Sequence, residues 1–378
     1  MMKKILFVAH MDSHIANFHL PYLKWFKEQG YETHVASNSK ESTREILYCD
    51  KKHQIDFSRS PFSLSNFKTY KAFKKLIKEE KFDLVHCHTP MGGLFTRLAF
   101  RKTKTPVFYT AHGFHFLKGG SKLSWLLYYP IEKWLSRYTN ELLTINYEDF
   151  TIAKKKFSKK CNVSYVPGVG VDLASYYTLP KEEITRIRKE MGLEDKFVLT
   201  YVAEQTKGKN QGFIIDFVSK AQIKYHDLRV LLIGYGEESE NYAQLIKEKK
   251  LEKKIFQLGF RKDINELNNI ADVVISTSLR EGLPKALLEA IAIGKPILAS
   301  DIRGNKELVL DGYNGFLYPK NDIEAFEYKL DKLYKDSALR ERFSMNSKEH
   351  SLRYDISLVL DQVTGLYNKY LGGGNNHE

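Results

Sequence analysis

The chain has 378 residues, which is long enough for two domains that each bury their own core. Apolar residues make up 43% and charged residues 28%, and this composition excludes a largely disordered chain. Three cysteines are too few for a disulfide framework, and no apolar run approaches the roughly 18 residues that cross a bilayer. The first residues lead into a strand-like stretch rather than a signal peptide, so we expect a cytoplasmic location.

The net charge of +13 is concentrated in the first half of the chain. Residues 1–170 hold 28 Lys and Arg against 14 Asp and Glu, which leaves 31 against 32 for the remainder. A basic excess indicates an anionic partner, such as nucleic acid, an anionic membrane surface or a phosphorylated substrate, or else a solvated surface. The sequence contains no RNA-binding motif, and nucleic acid is therefore the weakest of these alternatives.

Short apolar strands alternate with helical stretches in the first half, which is typical of a parallel sheet with crossover helices. The predicted strands are residues 5–9, 33–36, 82–87, 106–110, 142–146 and 163–167. Between the first two strands we expect a loop at residues 11–17 and then a helix, which Pro21 either opens or kinks. Because ligands bind at the carboxyl ends of parallel strands, this loop is a candidate ligand contact.

Two predicted helices of the first half combine aromatic residues with lysines. Residues 66–81 form a basic amphipathic helix with Phe67, Tyr70, Phe73 and Ile77 on one side, and residues 123–138 are rich in tryptophan and tyrosine. Packing on the sheet explains both patterns. The alternative, for which the second segment is the better candidate, is contact with a membrane interface.

The strand and helix pattern breaks at residues 167–172 and then restarts. Strands are predicted at residues 197–203, 230–233, 255–258, 272–275 and 296–299, and the chain is helical from residue 322 to 371. We place one domain at residues 1–175, a second at residues 176–355, and a C-terminal helix with a disordered tail at residues 356–378. Two similar α/β halves predict a cleft between them as the ligand site.

The segment 276–307 contains the strongest functional pattern. It reads as a strand exit, a helix opened by Pro284 and closed by Gly294, and a further strand. Glu289 is a lone carboxylate in an otherwise apolar helix, so it requires a cation or ligand hydroxyls as a partner. Glu281 lies in the loop that leads into the same helix, whose free N–H groups favour a phosphate. Two acids beside an anion site predict a nucleotide sugar.

Other glycines and lysines give a weaker signal. Gly234 begins a Gly-Tyr-Gly sequence that follows a strand, which is equally well explained as a phosphate loop or as a tight turn. Lys207 and Lys209 follow the strand at residues 197–203, where a lysine can neutralise a diphosphate. The chain has no Asp-x-Asp sequence, so the usual carboxylates of metal-bridged phosphate binding are missing.

Histidines alternate on one predicted strand, as His86 and His88, and His112 follows the next. A His-x-His pair can ligate zinc, but no Asp or Cys stands at a spacing that would complete a site. We therefore expect no metal and no cofactor, and interpret these histidines as lining a cleft. His112 precedes Gly113, which allows a ligand to approach the backbone.

The sequence resembles the retaining glycosyltransferases of family 4, whose two Rossmann-like domains face a central cleft in the GT-B fold. The motifs are an Arg-Glu-Gly-Leu-Pro-Lys segment at 280–285 with a second Glu at 289, and segments 83–90, 111–116, 168–172, 258–264 and 304–308. Segments 111–116 and 304–308 together are similar to the subgroup that builds bacterial capsule, exopolysaccharide and lipid-linked oligosaccharide. The resemblance implies a C-terminal helix that crosses back to the first domain.

The resemblance also implies a role for individual residues. Glu289 would hold the ribose, Glu281 the donor sugar, and Lys209 the diphosphate, while His112 would contact the sugar near the reacting carbon. The complete candidate set is Glu281, His112 and Lys209 for catalysis; Glu289, Gly282, Leu283, Pro284, Lys285, Gly234, Arg261 and Glu204 for the donor; and His14, Asn17 and His88 for the acceptor. Glu204 departs from the family, which often has an arginine there.

The resulting hypothesis is a metal-independent transfer of a hexose or N-acetylhexosamine, with retention, from a UDP sugar. The expected acceptor is a polyprenyl-linked or saccharide glycan at the inner face of an anionic membrane. A sugar-nucleotide epimerase of the same fold, a nucleic-acid-binding protein and a metal hydrolase are the alternatives. Incubation with the donor alone tests for the epimerase, because an epimerase changes the donor without an acceptor. The salt dependence of RNA binding tests for the nucleic-acid-binding protein, and inhibition by a chelator tests for the metal hydrolase.

Overall fold

The structure is a computed structural model that describes residues 2–40, 45–58 and 63–372. Its contacts divide the chain into two compact units. The first unit contains the residues through Val169 together with those from Ser357 onward, and the second is Gly170–Ile356. The disordered tail is predicted at residues 372–378, and of these, residues 373–378 lie outside the described residues.

The first unit is built on a parallel sheet of seven strands in its described residues, in the order β3-β2-β1-β4-β5-β6-β7. The strands are β1 Lys4–Met11, β2 Glu32–Asn38, β3 Lys51–Gln54, β4 Leu84–His88, β5 Val107–Ala111, β6 Glu141–Thr144 and β7 Asn162–Tyr165. The helices are α1 Asp12–Phe18, α2 Leu20–Glu28, α3 Ser65–Glu80, α4 Pro90–Phe100, α5 Lys122–Leu135 and α6 Tyr147–Lys156. The central strands are fully buried because helices cover both faces.

The second unit has a parallel sheet of six strands in the order β10-β9-β8-β11-β12-β13. The strands are β8 Phe197–Val202, β9 Leu228–Ile233, β10 Ile255–Gly259, β11 Val273–Ser276, β12 Ile297–Ser300 and β13 Gly315–Tyr318. The helices are α7 Lys181–Glu190, α8 Gln211–Ala221, α9 Ser239–Glu248, α10 Ile264–Asn269, α11 Lys285–Ile293, α12 Arg303–Leu308, α13 Ile323–Lys335 and α14 Ser337–Ser351. The predicted α/β class is confirmed for both units.

The last helix, α15 Ile356–Leu371, packs on the first unit. Val363 and Tyr367 join the core that contains Phe7 and Phe108. The Tyr367 hydroxyl also contacts the Nδ1 atom of the buried His86 at 2.5 Å. The prediction that the C-terminal helix returns to the first domain is therefore confirmed.

Some local predictions are wrong. The loop expected at residues 11–17 is mostly helix α1, which no glycine or proline interrupts, and Pro21 lies in the first turn of α2 and opens it. The predicted apolar side of α3 includes Phe67, but this residue is 73% exposed, and Phe73 and Ile77 form the packed face. Among the described residues, no helix is both long and apolar enough to span a bilayer.

Candidate functional site

Several polar residues of the second unit lie close together at the point where the order of its strands reverses. Strand β8 pairs with β9 on one side and with β11 on the other, so the chain leaves β8 in one direction and resumes at β11 in the other. The loops after two such strands diverge and leave a crevice at their carboxyl ends, which is the usual ligand site of open α/β sheets. Lys209 follows β8 and Glu281 follows β11, so this topology brings the two residues together.

The Nζ atom of Lys209 lies 2.5 Å from Oε1 of Glu281. The hydroxyl of Ser278 donates to the same carboxylate oxygen at 2.7 Å. Tyr201 fixes the lysine's backbone, because its hydroxyl donates to the Lys209 carbonyl at 2.6 Å and contacts Ser278 Oγ at 3.0 Å. The two predicted charges therefore form one ion pair held by neighbouring hydroxyl groups.

Glu289 is buried in α11, as predicted, and its carboxylate contacts side chains of the protein itself. The Tyr176 hydroxyl donates to Oε1 at 2.6 Å, and Lys285 Nζ lies 3.4 Å from the same oxygen. Burial raises the pKa of Tyr176, and the neighbouring carboxylate of Glu289 raises it further. Among the described residues, no hydrogen bond reaches the second carboxylate oxygen, Oε2, which can therefore accept one from a ligand.

Pro284 is the residue immediately before α11, and Gly294 ends the helix in the left-handed conformation with φ of 87°. The loop with Gly282 and Leu283 leads into this helix. It packs tightly against Gly304 at the start of α12, where an added Cβ would lie 2.8 Å from both Glu281 Cβ and the Gly282 carbonyl oxygen. Helix α12 therefore supports the loop that presents Glu281.

The remaining predicted donor-site residues make their contacts with residues other than Lys209, Glu281 and Glu289. At Gly234, with φ of +131°, an added Cβ would lie 2.1 Å from the Ala203 carbonyl oxygen, so the fold requires glycine there for packing. Arg261 is exposed and its guanidinium is paired with Asp263. Glu204 is exposed, and its backbone carbonyl accepts from Gln211 Nε2 at 3.0 Å. The structure gives Glu204 no charged partner among the described residues.

Histidines meet at the corresponding point of the first sheet, where β1 and β4 are neighbours and the chain changes direction. His14 Nε2 lies 3.2 Å from His112 Nε2, which is 3.5 Å from His88 Nδ1. The ring of His19 stacks on that of His88 with 3.6 Å between centroids. Asn17, the other predicted acceptor residue, is exposed on α1. His86, which alternates with His88 on β4, contacts the Tyr367 hydroxyl through Nδ1 and the Thr110 hydroxyl through Nε2.

His19 and His88 are buried, His14 and His112 are partly buried, and none of the four forms an ion pair with a carboxylate among the described residues. Loss of solvent around these imidazoles lowers their pKa values. The pKa of His14, His19 and His88 falls well below the usual value, first because of desolvation and then because of neighbouring histidines. Burial lowers the pKa of His112 to about 4. The group is therefore uncharged at neutral pH, and it offers nitrogen lone pairs and N–H donors rather than positive charge.

Sequence reasoning did not identify Tyr176, Ser278 or His19 as part of either site. Ser278 lies in the strand exit that was predicted, so its position was an available signal. Tyr176 is 113 positions from Glu289 and His19 carries no motif, so neither could be found from spacing. The roles given above to individual residues remain predictions.

Residues 183–350 match the family described as glycosyl transferases group 1, and residues 4–146 match the glycosyl transferase 4-like family. The chain is 39% identical over 375 residues to the putative glycosyltransferase EpsD of Bacillus subtilis, covering 98% of each chain. It is 31% identical over 316 residues to the UDP-Gal:alpha-D-GlcNAc-diphosphoundecaprenol alpha-1,3-galactosyltransferase of Escherichia coli, covering 80% of each.

A similar solved structure is that of Anabaena Alr3699/HepE in complex with UDP-glucose, with a TM-score of 0.80 and 20% identity. The match covers 97% of this chain and 99% of that one, and it shows a shared fold. The family matches fall on both α/β units, and both relatives are named as sugar transferases. The chain therefore belongs to the group 1, family 4-like glycosyltransferases, and it is a sugar-transferring enzyme with the GT-B fold.

Proposed function

We propose that the second unit binds a nucleotide sugar with UDP as its nucleotide. The observation that carries the proposal is the Lys209 and Glu281 ion pair at the carboxyl edge of the sheet, beside the start of α11. A lysine and free helix N–H groups suit a diphosphate, and carboxylates suit sugar hydroxyls. The names of the Escherichia coli relative and of the Anabaena complex, which refer to UDP-Gal and UDP-glucose, support this choice.

Within this proposal, Glu289 and Glu281 bind different parts of the donor. Glu289 accepts the ribose hydroxyls through Oε2, since Oε1 already receives Tyr176 and Lys285. Glu281 accepts hydroxyls of the donor sugar, and the backbone of Gly282–Pro284 donates to sugar and phosphate. Gly234, Arg261 and Glu204 remain weaker candidates, because packing or an ion pair already explains two of them.

The proposed reaction breaks the bond between the anomeric carbon and the β-phosphate oxygen and forms a bond to an acceptor oxygen on the same face. The acceptor's proton passes to the leaving phosphate, so configuration is retained without a protein nucleophile. Lys209 and the α11 amides stabilise the charge that develops on that phosphate. No metal ion is needed for this step. The resemblance adds His112 as a contact to the donor sugar.

We further propose a polyprenyl-diphosphate-linked glycan as the acceptor, with the enzyme at the inner face of an anionic membrane. The names of the relatives from Escherichia coli and Campylobacter jejuni both contain a diphospho-undecaprenol acceptor. Helix α5 presents a surface suited to lipid, whose large exposed apolar residues are Leu123, Leu126, Leu127, Tyr128, Ile131 and Trp134. The exposed Lys122 and Lys133 lie on the same helix and complement anionic headgroups.

A panel of nucleotide sugars tests the donor first, because a ligand of the folded state raises the melting temperature. The best donor is then incubated with and without undecaprenyl-diphosphate-linked monosaccharide, and products are identified by mass and anomeric NMR. We expect an α-linked product with the acceptor and an unchanged donor sugar without it. An altered donor sugar in the absence of acceptor would indicate an epimerase. Full transfer by Glu281→Ala, or loss of transfer with EDTA, would refute the mechanism.

A further inference from the structure

Asp172, the last residue of the segment 168–172, shapes the backbone that leads to Tyr176. Its carboxylate closes a turn, because Oδ1 accepts from the Ala174 amide at 3.0 Å and Oδ2 accepts from the Ser175 hydroxyl at 2.5 Å. Its carbonyl oxygen accepts from the Tyr176 amide at 3.2 Å. The hydrogen bond from Ser175 lowers the pKa of the Asp172 carboxyl group, so the charged acceptor is present at neutral pH. The turn therefore fixes the backbone at Tyr176.

The residues after this turn attach the segment to helices α10 and α11, and we call residues 172–179 the strap. The Thr178 hydroxyl donates to the carbonyl oxygen of Ile293 at 2.7 Å, at the end of α11. The Leu179 amide donates to Oδ1 of Asn269 at 2.9 Å, at the end of α10. All of these contacts lie within the second unit. The strap is therefore held at both ends.

The strap places the side chain of Tyr176 against α11, where it packs on the core that contains Leu288. Its hydroxyl donates to Oε1 of Glu289 at 2.6 Å, and Lys285 Nζ lies 3.4 Å from the same oxygen. Burial holds the pKa of Tyr176 above its usual value, so the hydroxyl keeps its proton and remains a donor at neutral pH. Two donors on one oxygen fix the orientation of the carboxylate and leave Oε2 for a ligand.

We propose that Tyr176 is a positioning residue for the nucleotide: its hydroxyl orients the Glu289 carboxylate so that Oε2 accepts the ribose hydroxyls. This inference rests on the proposed function, in which Glu289 binds the ribose. An acceptor that is already oriented loses little side-chain freedom on binding, which increases affinity. A nucleotide without ribose hydroxyls gains nothing from this orientation. Tyr176 and the strap therefore favour ribonucleotides over deoxyribonucleotides.

The test compares UDP with 2′,3′-dideoxy-UDP, which lacks both ribose hydroxyls, by isothermal titration of the full-length chain. We expect the wild type to prefer UDP by about 10–100-fold, the range for hydrogen bonds to a charged acceptor. Tyr176→Phe keeps the ring and removes the donor, so it should reduce this preference by about 5–10-fold. The reduction should come from weaker UDP binding, with the affinity for the dideoxy nucleotide unchanged.

Tyr177→Phe is the matched control. It removes a hydroxyl from the neighbouring ring, which is 53% exposed, and it should keep the wild-type preference. Far-UV circular dichroism establishes that the variants fold. If Tyr176→Phe is unfolded, Asp172→Ala replaces it, because it removes the turn contacts of the exposed Asp172 and should reduce the preference at least about 2-fold.

The ratio of the two affinities separates positioning from a merely structural role, because lost stability weakens both nucleotides by the same factor. A wild-type preference in Tyr176→Phe, or equal weakening of both nucleotides, overturns the inference and leaves the proposed function in place. A wild type without preference for UDP, or a preference that persists in Glu289→Ala, overturns the proposed ribose contact of Glu289 and this inference with it.

Discussion

Replacing Lys209 by methionine tests the proposed diphosphate site most directly. The change removes the charge, keeps most of the aliphatic stem, and leaves Glu281 with Ser278 as its remaining partner among the described residues. Lys207→Met is the matched control. It removes a lysine two positions away whose side chain is 84% exposed and lies 3.7 Å from Glu238.

The size of the effect follows from the burial of the pair. A hydrogen bond to a charged group contributes about 1.5–3 kcal/mol. The side chains of Lys209 and Glu281 are 30% and 12% exposed, so solvent screening reduces the expected loss of unfolding free energy to about 1–2 kcal/mol. Loss of the same charged contact to phosphate should weaken UDP binding about 10–100-fold. Transfer should slow by about 10²–10³ if the lysine also stabilises the leaving group.

Isothermal titration with UDP measures the change in UDP affinity, and single-turnover experiments measure the change in the rate of transfer. Urea unfolding of the free protein measures the change in unfolding free energy, so that a loss of stability is not mistaken for a loss of affinity or rate. Lys207→Met should match the wild type in all three measurements. Wild-type UDP affinity in Lys209→Met, or equal losses in the two variants, would show that the ion pair is structural and that the diphosphate binds elsewhere.

Four further outcomes are expected. Tyr176→Phe should lower the unfolding free energy by about 1–2 kcal/mol in urea, because it removes the hydroxyl donor to the buried carboxylate of Glu289; an unchanged midpoint would contradict this contact. Leu126→Glu should reduce sedimentation with vesicles containing anionic lipid and leave stability nearly unchanged, since Leu126 is 72% exposed. Gly304→Ala should reduce transfer more than it reduces stability, because its Cβ would displace the Glu281 loop; equal activity would show that the loop adapts. Burial lowers the pKa of Lys295 to about 8 from 10.5, so between these values the unfolded chain holds the extra proton and the free energy of unfolding rises with pH, a rise that Lys295→Met should lack.

Much of the fold could be predicted because buried parallel strands leave a clear pattern. Strands such as β1 and β8 are continuous apolar runs, and the helices between them have regular apolar spacing. Strand β3, Lys51–Gln54, was missed because it lies at the sheet edge and consists of polar residues that are mostly exposed. This segment is a strand because it pairs with β2, and a local sequence pattern does not predict such a pairing.

The second unit's site could be predicted because its acids occupy one short segment. Glu281 and Glu289 belong to the same loop and helix, and Lys209 follows a recognisable strand. The partner of Glu289 could not be predicted, since Tyr176 reaches it only through the tertiary fold. The requirement for a partner was nevertheless evident from the burial of a single carboxylate in an apolar helix.

The two sheets place polar residues at equivalent points but satisfy them differently. In the second unit, Lys209, Glu281 and Glu289 have partners in the protein, so a donor would exchange existing contacts for new ones. In the first unit, His19 and His88 have buried nitrogens without partners among the described residues. An imidazole nitrogen without a partner gains a full hydrogen bond from a ligand, whereas a paired carboxylate gains only the difference between two interactions. The buried nitrogens thus add a structural reason to the prediction that these histidines line a ligand cleft.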